Sequence, residues 1–180
     1  MTLSFSTYWP KSMPEEIAGK PNHFVEKIWA GLIHGIKDIN ISHYESYSLQ
    51  HWSMLGTDMS EYNELMIEPK IHTFREDPKD RWKVGMKIHP VINNRTKRRF
   101  QFAPTIACVS IQKAEIIYTD EDLCDHYGTY PVIKIDDRVL DMNEMESVAK
   151  NDGFESLYHF CNWFNSDWKG KIIHWTKRQY

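Results

Sequence analysis

The run TIACVSIQKAEIIY, residues 105–118, is rich in β-branched residues and largely alternates apolar with polar ones. That pattern has the period of a pleated surface and reads as a long strand that can bend. The segments around it are shorter. Residues 2–9 alternate Leu3, Phe5 and Tyr8 against smaller polar residues, as an opening strand does. Pro10, Pro14, Gly19 and Pro21 punctuate a loop, after which Asn22 can cap a helix. Phe24, Val25, Ile28, Trp29, Leu32 and Ile33 then recur at helical spacing and form one apolar face. Residues 35–67 mix aromatic and small polar side chains with no clean period, and an inserted excursion with short helices is expected there.

Downstream, Gly85 marks a turn into a strand over 86–92, and NNRTKRR reads as a hairpin tip in which Asn93 and Asn94 tolerate left-handed backbone. PVIKIDDRVL reads as a hairpin turning at Asp136-Asp137. Asp141 with Glu144 has the spacing of a capping box. Met142, Met145, Val148 and Ala149 give that helix its apolar face, and Gly153 can end it. Phe154, Leu157, Phe160, Cys161 and Phe164 mark a second short helix, and KIIHWT a closing strand. Short strands with a few helices point to an α+β fold with a small β-barrel as its core.

The chain has 180 residues, which suits one domain spanning 1–180 with an insertion at about 35–69. A net charge of −3 excludes a polycation, so nucleic-acid binding has to come from a local basic patch. Three scattered cysteines form neither a disulfide framework nor a zinc knuckle, and they fit a reducing compartment. Cys124-Asp125-His126 lacks further partners at ligand spacing, so no metal is expected, and no cofactor. The N-terminus lacks the basic and apolar regions of a signal peptide, and no run is long enough to span a bilayer. A cytoplasmic protein without membrane partners is expected.

The segment PKIHTFRED, residues 69–77, concentrates the chemistry. Read as a strand, it puts Ile71, Thr73 and Arg75 on one face and Lys70, His72 and Phe74 on the other, so Lys70 and Thr73 meet only if the backbone turns. A desolvated lysine can act as general base and turn a threonine hydroxyl into a nucleophile, given a carboxylate to orient the amine. The plainer reading is a solvated Lys70, a β-forming Thr73 and a surface ion pair from Arg75 to Glu76 or Asp77.

The order of these pieces resembles the ASCH family, a PUA-like β-barrel group. In that family a helix leads into Gly-x-Lys-x-x-Thr-x-Arg, a Lys-x-Gly turn follows, and a later helix carries Ala-x-x-Glu. Here the similar pieces are HFVEKIWAGL (23–32), Lys70-x-x-Thr73-x-Arg75, Lys83-Val84-Gly85, Ala149 to Asp152, and the closing IIHWT. The resemblance implies a PUA-like barrel with flanking helices. It implies an RNA or modified-nucleoside partner, and an amidohydrolase removing acyl groups from N4-acylated cytidine. Lys70 would be the base, Thr73 the nucleophile and Asp152 the acid, with Arg75 as an anion or carbonyl clamp. Two features depart from the family. Residues 35–69 intervene between helix and motif, and Asp152 stands where the family has Glu, a shorter arm that draws the carboxylate back from Lys70.

Other family members bind RNA without catalysis or act as ribonucleases. The run Arg95-Thr96-Lys97-Arg98-Arg99, next to Phe100 and Phe102, suits phosphates with a stacking ring alongside, or equally a solvated turn. His72 is expected to line the pocket, Trp82 to offer a base platform on a loop, and Glu115 to serve as a second candidate acid. Protein interaction through the insertion is the third reading, which an exposed apolar patch there would support.

Overall fold

The alternating run over 105–118 breaks in two and serves two sheets. Ile106–Ala107 pairs antiparallel with Lys87–Ile92, whereas Ser110–Ile117 lies between Trp168–His174 and Val132–Ile135. Cys108 and Val109 make the switch. The Cys108 N–H donates to Met86 O and the Val109 N–H to His174 O, one bond to each sheet. The bend that the sequence allowed is a change of partner.

The computed structural model describes residues 1–57, 59, 68–118 and 130–180. Its elements are, in order, β1 (Thr2–Ser4), α1 (Phe24–Gly35), α2 (Ile41–Leu55), β2 (His72–Arg75), β3 (Lys87–Ile92), β4 (Phe100–Gln101), β5 (Ile106–Ala107), β6 (Ser110–Ile117), β7 (Val132–Ile135), β8 (Arg138–Val139), α3 (Met142–Asn151), α4 (Leu157–Trp163) and β9 (Trp168–His174). This is a mixed α+β fold. In one sheet β3 lies between β1 and β4 and also pairs β5; the other has the order β2-β9-β6-β7-β8. Among the described residues neither sheet closes into a barrel.

Local rules explain most elements. In α1 the Phe24 N–H donates to Asn22 Oδ1 at 3.1 Å, although His23, in the left-handed region, stands between them. Asp141 and Glu144 form the reciprocal capping box of α3. Asp136 and Asp137 both have positive φ, 47° and 68°, as the two-residue turn between β7 and β8 requires. At the β3–β4 tip the left-handed positions are Asn93 and Arg95, not Asn94.

Two expectations fail locally. The opening strand ends at Ser4, and Tyr8 is exposed. Among the described residues the aperiodic insertion holds one long helix, α2, where short ones were expected; only its Tyr44 and His51 are buried, so it carries almost no apolar period. Residues 58 and 60–67 of that insertion, and Cys124, Asp125 and His126, lie outside the described residues.

Two hydrophobic clusters back the sheets. Ile28, Trp29 and Leu32 of α1 pack with Ile88, Phe102 and Trp175. Phe74, Ile116 and Ile133 pack with Val148 of α3 and Phe160 of α4. Each such side chain is worth roughly 1.5–3 kcal/mol when fully buried. Among the described residues no helix is long and apolar enough to cross a membrane.

The approach to β2 is sewn between two helices. The Lys70 N–H donates to Lys27 O of α1, and the Ile71 N–H to Asn151 O at the end of α3. This brings the chain so close to α1 that a Cβ on Gly31 would lie 2.4 Å from Lys70 O and 3.3 Å from Ile71 Cγ2. Gly31→Ala is therefore expected to lower stability by about 1–3 kcal/mol in urea denaturation. Gly35→Ala, which meets only the Thr176 side chain, should be tolerated better. Equal effects would show that the close approach at Gly31 is not limiting.

Candidate functional site

The stitching at residues 70 and 71 decides where the motif's side chains go. Because both N–H groups bond to helix carbonyls, strand β2 begins only at His72, and Lys70 escapes the alternation that would have placed it opposite Thr73. Lys70 and Thr73 line the same cavity, of about 250 Å³, together with Arg75 and Asp152. Phe5, Phe24, Phe154 and Trp163 form much of the apolar wall.

Lys70 is the most unusual residue here. Its side chain is 2% exposed, and Nζ donates to Asp152 Oδ1 at 2.5 Å and to the Asp152 backbone carbonyl. The Phe24 ring centroid is 4.9 Å from the amine. Gly153, with φ 90°, makes room: a Cβ there would press on Lys70 Cδ at 3.1 Å and on the Phe24 ring at 3.2 Å. Lys27 Nζ donates to Gly153 O nearby, so two cations gather at the C-terminal end of α3, where the helix dipole favours them.

Asp152 directly follows α3 and is as deeply buried as its partner. The shorter arm of Asp does not take the carboxylate out of reach, because the backbone itself brings Asp152 against Lys70. Burial pulls the Lys70 amine down to about 8, against the opposing pull of Asp152. Burial likewise raises the Asp152 carboxyl, against Lys70 and Arg75. Both shifts favour the neutral forms.

Arg75 does not pair with Glu76 or Asp77. Its Nη2 donates to the Ser4 carbonyl at 2.7 Å and its guanidinium lies over the Phe5 ring at 5.2 Å, while Nε is buried without a partner among the described residues. Asp77 instead accepts from the Arg81 and Trp82 N–H groups and from Lys171. Burial lowers the Arg75 pKa while Asp152 counters it. Thr73 is buried on β2, and no hydrogen bond among the described residues engages its hydroxyl.

The other candidates sit elsewhere. His72 is wholly buried but does not line the cavity; its Nδ1 is 3.7 Å from Asp152 Oδ1. Trp82 is a core residue, 4% exposed, and offers no platform. Glu115 pairs with Lys169 and is not in the cavity wall. Arg95, Lys97, Arg98 and Arg99 are exposed at the β3–β4 tip, away from the Lys70 cavity. Phe100 and Phe102 are buried, so the tip has no stacking ring from them. Among the described residues no group of three or more His, Cys, Asp or Glu is arranged to hold a metal.

Sequence reasoning missed the aromatic wall. Phe5, Phe24, Phe154 and Trp163 come from four separate parts of the chain, and only the fold unites them. Lys27 gave no signal either, being one charged position of an amphipathic helix. Comparison with known protein families, characterised proteins and solved structures finds no match to this chain.

Removing one partner of a buried ion pair strands the other. Lys70→Met is expected to lower stability by about 3–5 kcal/mol in guanidinium denaturation. Lys70→Met with Asp152→Asn should recover more than half of that loss. Losses that simply add would show the two side chains to be uncoupled.

Proposed function

We propose that the cavity binds a nucleobase-sized ring carrying an acyl amide, and that the protein is an ASCH-like, PUA-related amidohydrolase acting on N4-acylated cytidine. The observation that carries this reading is the convergence of Lys70, Thr73, Arg75 and Asp152 on one aromatic-walled cavity. Its size is below the roughly 300–1,000 Å³ of pockets for drug-sized ligands, in keeping with a single small ring. Aromatic walls suit a planar base.

The chemistry follows from the groups present. Neutral Lys70 takes the proton of the Thr73 hydroxyl, and Thr73 Oγ1 attacks the acyl carbonyl carbon. The Arg75 guanidinium, which lines the cavity, stabilises the developing oxyanion. The C–N bond breaks as the exocyclic nitrogen takes the proton back from Lys70, leaving a free amino group on the base. Water, deprotonated by the same amine, then cleaves the threonyl ester, releasing the carboxylic acid and restoring Thr73. Asp152 orients the amine and stabilises it whenever it carries the proton.

Chromatography of reactions with a panel of N4-acylated cytidines tests this. Thr73→Ala and Lys70→Met are each expected to lose about 10²–10⁴-fold in rate. Because the base form of Lys70 is required, kcat/KM should rise with pH and level off above about 8. Full turnover by Thr73→Ala would remove the covalent step, and no turnover across the panel would remove the activity.

A second reading is RNA binding through the basic tip. Arg98 and Asn93 line a cleft of about 460 Å³ with His51 of α2, and Phe24 borders both this cleft and the Lys70 cavity. If single-stranded RNA lies there, Arg98→Ala with Arg99→Ala should lower affinity for all sequences alike and reduce the salt slope by about 2. The interaction reading has its own support, since Leu49 and Trp52 stand exposed on α2, within the insertion.

A further inference from the structure

Behind the Lys70–Asp152 pair runs a chain of polar side chains that the reaction above does not use. Asn151, the last residue of α3, directs Nδ2 at the Tyr180 hydroxyl at 2.8 Å and at Ser147 Oγ at 3.4 Å. An amide nitrogen only donates. The Tyr180 oxygen therefore accepts from Asn151 and keeps its own proton for another partner. That partner is His72 Nε2, 2.8 Å away.

His72 is neutral. It is wholly buried, and burial, reinforced by His174, Lys70 and Arg178, holds its pKa well below the usual value. The groups facing it are His174 of β9, whose ring is 5.2 Å away, Tyr180 and Arg178 of the last residues, Asn151 and Asp152 at the end of α3, and Lys70 before β2. A neutral imidazole that accepts at Nε2 carries its proton on Nδ1. This Nδ1 has no hydrogen-bond partner among the described residues, and Asp152 Oδ1 lies 3.7 Å from it. That gap exceeds a hydrogen bond, yet a small ring movement closes it.

We propose that His72 is a positioning residue for Asp152: Asn151 and Tyr180 lock it as the Nδ1–H tautomer, and it takes over the Asp152 carboxylate when Lys70 turns toward Thr73. In the resting site Lys70 Nζ holds Oδ1. Once the amine leaves, Asp152 keeps the Phe74 backbone N–H and the nearby Arg75 charge, yet a carboxylate excluded from water that has lost a charged donor needs a further one or takes up a proton. The Nδ1–H keeps Asp152 ionised and ready for the returning ammonium. The tautomer stands independently of the activity, whereas the exchange of donors rests on the amidohydrolase reading.

Long-range ¹H–¹⁵N spectra of the full chain at neutral pH decide the tautomer. The expected pattern is a protonated Nδ1 and a lone-pair-bearing Nε2 on His72. A protonated Nε2, with Tyr180 donating to Asn151 instead, overturns the proposal, as does an imidazolium. Tyr180→Phe keeps the ring and removes the relay. It should give mixed tautomers and shift the Asp152 carboxyl-carbon titration up by about one pH unit, a tenfold change. Unchanged tautomer and titration in that variant also overturn it, and if the variant does not fold, the wild-type spectrum decides alone. Where wild type hydrolyses acylcytidine, Tyr180→Phe should lower kcat about tenfold at unchanged KM, and wild-type kcat in the variant overturns the donor exchange. A wild type that shows no turnover sinks the amidohydrolase reading and the donor exchange with it, and leaves the tautomer to the spectra.

Discussion

The buried contact between Lys70 and Asp152 is the constraint around which the neighbouring elements are arranged. An ammonium and a carboxylate have both left water, and that transfer costs several kcal/mol per ion even after the surroundings relax. The structure offsets it locally. The carboxylate and the carbonyl of one residue both accept from Lys70, and the end of α3 adds its dipole. The amine can reach that point only because Gly31 lets the chain approach α1 and Gly153 leaves space for the lysine stem. Helix α1, helix α3 and strand β2 meet around the enclosed pair.

Enclosure changes the chemistry of the groups beside the pair. Phe5, Phe24, Phe154 and Trp163 line the cavity and lower the polarity around it. Charges act more strongly in such surroundings than in solvent. Arg75 shares them, its guanidinium lying over the Phe5 ring and anchored to the Ser4 carbonyl at the end of β1. The end of β1 thus anchors Arg75, β2 carries Thr73, and Asp152 directly follows α3. No single element holds all of these residues, so the cavity is a product of the tertiary fold.

How far this was legible depends on whether a feature is local. The capping box at Asp141 and the turn at Asp136-Asp137 were legible because their chemistry is complete within a few residues. Helix α1 was legible because one face is apolar throughout. The long run at 105–118 was only half legible: alternation says which side chains point inward, not which sheet they enter, and the switch at Cys108 and Val109 leaves no mark on the pattern. Alternation also misplaced Lys70 relative to Thr73, since it assumed a strand where the backbone bonds instead to α1 and α3. The Lys, Thr and Asp could be named from their order in the chain. The aromatic wall and the Asn151–Tyr180–His72 chain could not, because their members are far apart in sequence and follow no period.

The pair itself needs a reason beyond holding three elements together. Two apolar side chains of similar volume would hold them as well, and such replacements are often neutral or stabilising by about 1–4 kcal/mol. Capping of α3 is not a sufficient reason, because its last four carbonyls already accept from the backbone N–H groups of Asp152, Phe154, Gly153 and Ile71. Lys70 differs from Lys27 in facing a cavity that also presents a hydroxyl and a guanidinium. It differs too in having a carboxylate within hydrogen-bond reach and in a pKa brought close to neutrality by burial. Lys70 therefore places an amine, its pKa lowered by burial, at the wall of an aromatic-lined cavity beside a hydroxyl and a guanidinium.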